Sequence, residues 1–457
     1  MASREETITR KGDSKGNHYL SVCESFLAKI DSRDPFWVQT LRQDALARFR
    51  ELGFPTTREE QWKYTNVRAI QEANFEPAPR EALPKIKKEE VEKLSTCPLR
   101  WHRLVFVNGV YSKEFSRLSD LSGAFHVGTI QDAIRTKPKM LEQYLAQCAR
   151  YDRNGFAALN TALIQDGTFI YMAEGKEFET PIELVFLTDS ERGNVMSQPR
   201  NLIVFGRSSR ATLIESYFSF SDDPYFTNVV TEVVLGDGAV CDYVRLQREG
   251  RKAFHISTTQ VEVGRNSVFS SVAVDLGGKL VRNNLTVELT EEGAQCDLNG
   301  LYLTSDDQHV DNHTLIEHPK PNGTSRQLYK GILDGASTTV FGGKIWVHQD
   351  AQKTDAHQTN KNLLLSEHAT VDTKPQLEIF ADDVKCTHGA AVGQIDEDSV
   401  FYLKSRGLPE AKARQLVSYG FANEVVERIK VPSIRAELNQ IVLERCERQG
   451  SGKAVAS

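Results

Sequence analysis

No two of the seven cysteines (Cys23, Cys97, Cys148, Cys241, Cys296, Cys386, Cys446) are spaced as Cys-x-x-Cys. An odd, dispersed set argues against a disulfide framework and for a reducing, cytoplasmic setting. A self-contained zinc or iron–sulfur site needs about four ligands at short spacings. Any such centre is therefore expected to be transient or shared with a partner, with nothing bound stably by this chain alone. No apolar run approaches the roughly 20 residues of a membrane span. No GxxxxGK[ST] occurs, which leaves no P-loop for nucleotide hydrolysis, and no HExxH occurs. Neither sign of charge dominates: 56 basic residues face 62 acidic ones, and the basic residues are scattered. That pattern leaves no electrostatic footprint for nucleic acid. The opening MASREETITRKGDSKG lacks the apolar core of a signal peptide, and its early acids Glu5 and Glu6 are unlike a transit peptide. We expect a disordered lead over 1–17 and a flexible tail over 449–457.

What is present is long enough for two or three structural regions. Residues 18–95 read as an N-terminal helical domain. Tyr19, Val22, Cys23, Phe26, Leu27 and Ile30 follow helical spacing, and a second helix is predicted from Pro35 to Leu52, stopped by Gly53. From about residue 100 the pattern turns to strands. LVFVNGVYS carries an Asn108-Gly109 hairpin signal. A helical insertion is predicted around Ile130–Arg150, ending before Tyr151.

Six later segments share one form: an apolar strand, a short turn, a small residue, another strand. The small residues are Ala211, Ala239, Ser267, Ala294, Ala336 and Ala369. Their spacings are 28, 28, 27, 42 and 33, and the 42-residue gap reads as extra sequence, Asp306 to Asn322. A repeat of this size with β content predicts a solenoid; a β-sandwich is the competing fold. The expected fold is mainly β: a right-handed parallel β-helix core over 100–392, flanked by N-terminal and C-terminal α-helical domains, the latter over 395–448. Within that last domain, patterns at Leu408–Tyr419 and Ala422–Ile429 are separated by Gly420-Phe421, and Pro432 starts a final helix.

Two groups of residues carry possible chemistry. His309, Asp311 and His313 stand at i, i+2 and i+4, one face of a strand and a weak metal candidate. A polar row bonded to neighbouring coils is the simpler reading, because isolated His-rich strands need supporting hydrogen bonds to hold a metal. Cys386 and His388, in KCTHGAAVG, stand two apart before the flexible Gly389-Ala390-Ala391, where strands give way to helices. Thiolate and imidazole suit iron, zinc or an iron–sulfur unit. Core filler is the alternative for Cys386. Asp382 with Asp383, or Asp396 with Asp398, resemble the paired carboxylates of a β-helical carbohydrate-active enzyme. Val417, Tyr419 and Phe421 around Gly420 suggest an exposed apolar patch.

ADDVKCTHGAAVGQIDEDSVFYLKSRGL (Ala381 to Leu408) resembles the C-terminal signature of SufD, within the SufB/SufD family of iron–sulfur assembly scaffolds. DQHVDNHTLIEHPKPNGTSRQLYKGILDG (Asp307 to Gly335), AQKTDAHQTNKNLLLSEHATVDTKPQLEIF (Ala351 to Phe380) and GFPTTREEQWKYTNV (Gly53 to Val67) extend the likeness over the whole chain.

The resemblance implies a non-enzymatic scaffold that pairs with SufB near His388 and holds the ATPase SufC on its C-terminal helices. There Phe401, Tyr402, Arg406, Leu408, Val417, Tyr419 and Phe421 are the docking candidates. It implies that His388 serves a nascent iron–sulfur cluster shared transiently with SufB, with Cys386 second in rank. In isolation a homodimer is a further possibility. The essential cysteine of SufB falls near Ala369, where this chain has no thiol. Gly389 also stands where SufB-like sequences place a carboxylate. Both departures favour SufD over a SufB-type, flavin-binding homodimeric scaffold.

Overall fold

A computed structural model describes residues 17–30, 34–78, 86–94, 97–98, 100–118, 123–190 and 193–450. The lead over 1–16 and the tail from 451 lie outside these residues. Helices Asn17–Lys29 and Phe36–Leu52 open the described chain. The second begins after Pro35, and the Gly53 N–H bonds Phe49 O at 2.8 Å with φ at 62°, a conformation glycine adopts without strain. The predicted hairpin forms at Asn108-Gly109, pairing Phe106 with Tyr111 and Val107 with Val110. Both turn residues have positive φ (49° and 79°), as its tightest form requires.

From there the chain winds into a two-sheet parallel solenoid. Sheet I stacks Thr168–Met172, Arg200–Phe205, Tyr225–Leu235, Phe254–Val263, Leu280–Glu288, His309–His318, Thr338–Val347 and Thr370–Ile379. Sheet II stacks His102–Val107, Ile182–Thr188, Arg210–Ser219, Val240–Arg248, Val268–Asp275, Gln295–Thr304, Thr324–Leu333, Asp355–Leu364 and Lys385–Gln394. Six successive coils turn from sheet I to sheet II through a residue with positive φ: Ser208, Gly238, Asn266, Gly293, Asn322, Lys353. The next position, or the one after it, must be small because it faces the interior; Ser209, Ala239, Ser267, Ala294 and Thr354 are all buried.

That column corrects the repeat. Ala239, Ser267 and Ala294 are in register, but the next member is Gly323, not Ala336. Ser209, not Ala211, precedes them. Ala369 belongs to the other sheet, where its neighbour is Ser337. The 42-residue gap is thus a jump between columns. Asp306 to Asn322 is no insertion; it contains the ordinary strand His309–His318.

The helical insertion also runs past Tyr151. Helices Ile130–Thr136 and Pro138–Tyr144 are followed by Gly155–Ala162, capped by the Asn154 side chain. All eight residues of this last helix are buried, which erases the one-sided periodicity that would mark it.

The interior holds apolar residues from both sheets, among them Val233, Val261, Leu298, Ile316, Phe341 and Ile345. The outer face of sheet I is covered by the N-terminal segment and helix Gly155–Ala162, with Tyr19, Phe49, Trp62 and Phe156 packed on Phe226, Phe254 and Ile256. The outer face of sheet II is covered by the C-terminal helices. Val425, Ile429, Leu438 and Val442 pack on Val244, Leu246, Leu301 and Ile332. No helix breaks at Gly420: Glu410–Val426 is continuous, because Gly420 is exposed with open space around it.

Candidate functional site

The C-terminal helices flank the solenoid and leave its last coil uncovered. Thr370–Ile379 and Lys385–Gln394 are the outermost strands of their sheets, each ten residues long and largely exposed. An edge strand presents a row of unpaired N–H and C=O groups, which proteins normally blunt with charge, proline or brevity. Thr370–Ile379 is blunted by Asp372, Lys374, Pro375 and Glu378. Lys385–Gln394 is not. After Lys385 it carries no charge, and Gly389-Ala390-Ala391 is regular strand, not a flexible turn. Small side chains there permit close approach by another backbone.

Strands in parallel register share faces, so the inward row of this edge follows from its neighbours. Cys386 pairs with Ala356, His388 with Gln358 and Val392 with Asn362. All three neighbours are buried. Ile379 likewise pairs with the buried Val347. The exposed Ile379 and Val392 are therefore core positions laid open, with Phe380 (60% exposed) beside them. Cys386 and His388 do share one face, as the two-residue spacing predicts. Cys386 is half-buried against the interior, and burial pushes its thiol above the usual value, with Asp355 adding to it and an Ala356 backbone hydrogen bond opposing. His388 is exposed above Gln358.

His309, Asp311 and His313 share the outer face of their strand, again as spaced, but the N-terminal segment covers them. Thr65 Oγ1 lies 2.8 Å from His309 Nε2 and also donates to Asp311. Asp311 accepts from the buried Arg282, whose guanidinium sits 4.3 Å over the Trp62 ring and donates to Gln61 O at 2.9 Å. His313 Nε2 lies 3.2 Å from Asp311 Oδ1. Burial alone would raise the Asp311 carboxyl; Arg282, then His313 and Thr65, hold it well below the usual carboxylate range. Burial lowers His309. A guanidinium thus occupies the place a cation would take on Asp311. Among the described residues, no three His, Cys, Asp or Glu side chains converge to hold a metal ion.

The docking candidates separate into two sets. Phe401 (72% exposed) and Tyr402 (56%) project from helix Glu397–Ser405. Arg406 stacks on Tyr402 at 5.2 Å and donates to its hydroxyl at 3.2 Å, and Leu408 is half-buried next to them. Val417 is half-buried. Tyr419 and Phe421 form no exposed patch. They pack on the cluster that seats the helices on sheet II. Tyr419 bonds Asn439 at 3.1 Å, and Lys330 Nζ sits 4.3 Å from the Phe421 ring while donating to Phe421 O at 2.9 Å. The paired carboxylates also have structural partners. Asp396 caps helix Glu397–Ser405 and Asp383 pairs with Lys353.

Sequence reasoning missed Ile379, Phe380 and Val392. Their signal was available: Ile379 and Val392 sit at core positions of a repeat with no following coil, and Phe380 adjoins them.

Two family descriptions match the chain. "SufBD protein N-terminal region" covers residues 13–184, and "SUF system FeS cluster assembly, SufBD core domain" covers residues 186–421. An iron–sulfur cluster assembly SufBD family protein of Synechocystis sp. is 36% identical, with 88% of this chain and 89% of the relative aligned. The iron–sulfur cluster assembly protein SufD of Escherichia coli is 31% identical over 87% and 90%. SufD of Bacillus subtilis is 26% identical over 93% and 98%. No described helix is long and apolar enough to cross a membrane.

Proposed function

The chain belongs to the SufBD family, and from that premise we propose that it is the SufD-type scaffold of an iron–sulfur assembly complex, without enzymatic activity of its own. The observation that carries this reading is the uncovered last coil. An opened core beside a long, unblunted edge strand matches what an obligate partner surface needs: apolar area plus backbone groups waiting to be paired.

SufB is the proposed partner at this end, its own solenoid continuing the sheets. His388 then lies at the junction, where a neutral imidazole offers one ligand to a cluster that is cargo, not resident cofactor. Cys386 stands second, because its thiol is held protonated and half-buried. The same edge offers a surface for self-pairing when SufB is missing. SufC is proposed to dock on Phe401, Tyr402, Arg406 and Leu408, with Val417 at the margin. Closure of two SufC subunits on ATP would pull on the C-terminal helices, which are clamped to sheet II by Lys330 and Glu424. A rigid-body shift of this kind would loosen the junction and expose His388 to incoming iron and sulfur. Seven unpaired cysteines fit a cytoplasmic site of action.

Coexpression with SufB and SufC, followed by size-exclusion chromatography and native mass measurement, tests the reading. The wild-type chain should enter a three-component complex. Val392→Glu should keep SufC and lose SufB, since it places a charge on the opened core. Retention of SufB by Val392→Glu would move the junction elsewhere.

A further inference from the structure

Beneath His388 lies a buried acceptor with nothing to accept. Gln327, Gln358 and His388 are successive members of one inward column on sheet II. Gln327 Nε2 donates to Thr314 Oγ1 at 2.7 Å, and Gln358 Nε2 donates to Gln327 Oε1 at 2.7 Å. In this arrangement both amide nitrogens point down the relay towards Thr314. Gly343 makes room for it, because a Cβ there would stand 2.3 Å from Gln358 Nε2. The consequence is that Gln358 Oε1, on a residue only 1% exposed, has no hydrogen-bond partner. Buried oxygens in that condition are uncommon and costly.

The neighbours in its own row do not supply a donor. Ala356 has none, and Asn360 Nδ2 already donates to Tyr302 Oη at 3.0 Å and to Tyr329 O at 3.2 Å. The next residue along the column is His388, about 4.8 Å away strand to strand. Its neutral ring carries an N–H in either tautomer.

We infer that Gln358 is a positioning residue for His388: its Oε1 accepts one imidazole N–H and so holds the ring in a single tautomer. The other ring nitrogen is then bare, with its lone pair directed to the open end. Metal-binding imidazoles are commonly fixed in this way by an acceptor behind them. The amide relay Thr314–Gln327–Gln358 transmits the constraint from the interior of the solenoid to its mouth. The inference rests on the reading of His388 as a ligand, but its test needs neither iron nor a partner.

The test is the pair of ring-nitrogen NMR shifts of His388 in the full chain labelled with ¹⁵N-histidine. The pH is set above the ordinary imidazole range so that the ring is neutral. His388→Gln assigns the signals. The wild type should give one protonated and one bare nitrogen with widely separated shifts. Gln358→Met keeps the length and removes the acceptor, so the two shifts should move together as tautomers exchange. Gln358→Glu retains an acceptor and should retain the separation. The other histidine signals report whether each variant is folded. If Gln358→Met is not, Gln327→Met releases the Gln358 amide to rotate and should bring the shifts together in its place. Shifts that are averaged in the wild type, or equally separated with and without the acceptor, would overturn the inference. A normal cluster supply in His388→Ala cells would instead remove the ligand reading and leave this hydrogen bond standing.

Discussion

His309–His318 and Lys385–Gln394 are strands of equal length, both bearing histidine on an alternating pattern, and they have opposite fates. The first has a strand on either side and the N-terminal segment laid over its outer face. Every candidate ligand on it is engaged: His309 by Thr65, Asp311 by Arg282, His313 by Asp311. The second has a neighbour on one side only and, among the described residues, nothing over its end. By number of potential ligands alone the first is the richer, with three against two. Position reverses that ranking. A ligand-type side chain is free for chemistry only where the fold has not already used it.

The largest effect that sharpens this contrast should come from Asp311→Ala. It would leave Arg282 buried without its counter-ion, at a cost of about 3–5 kcal/mol. Denaturant unfolding should show the loss, and a change within about 0.5 kcal/mol would return the row to the list of free ligands.

Next in size is a pH effect on the same strand. His318 is buried, with Nε2 2.9 Å from Ser325 Oγ, and burial lowers its pKa to about 4. The folded state therefore resists protonation, while the unfolded chain takes up a proton near pH 6.5. Stability is full above that value and falls as pH drops towards about 4, by about 3 kcal/mol at most. His318→Gln should flatten this part of the stability profile. An identical slope in the variant would assign it to other groups.

A third comparison lies in the C-terminal helices. Phe421→Ala should cost roughly 2 kcal/mol, because the ring seats the helix on sheet II. Phe401→Ala and Tyr402→Ala should leave stability within about 0.5 kcal/mol and weaken SufC binding by calorimetry. Stable Phe421→Ala protein with lost binding would reverse the two roles.

The smallest effect on stability is expected at the open end. His388→Ala should unfold within about 0.5 kcal/mol of wild type, keep the SufB–SufC complex and its ATPase activity, and lower cluster-enzyme activities in cells that depend on this pathway. Cys386→Ala should lower them less. Loss of the complex in His388→Ala would make the residue an interface contact and nothing more.

The solenoid itself was legible in the sequence because successive coils place a small residue just past a left-handed corner. Ala239, Ser267 and Ala294 announce that pattern. The column could not be followed further, because Gly323 and Thr354 fill it with other small or bonded residues while Ala336 and Ala369 offer a false continuation. Alternation told which residues point outward; it could not tell which outer face is covered. That is why Tyr419 and Phe421 read as a patch and the His309 row stays a weak metal candidate beside its simpler reading as a bonded polar row. Covering depends on segments hundreds of residues away, as with Thr65 on Asp311. The Cys386–His388 pair was found by type and spacing, whereas the opened core at Ile379 and Val392 requires knowing that no coil follows.

Hydrogen exchange on the two strands tests this contrast most directly. In the free chain, the amides of His309–His318 should be protected, and the outward-pointing amides of Lys385–Gln394 should exchange fast. In the complex with SufB and SufC, the first strand should not change, and Lys385–Gln394 should become protected over its length. Fast exchange of Lys385–Gln394 within an intact complex would contradict the assignment of the open end as the junction.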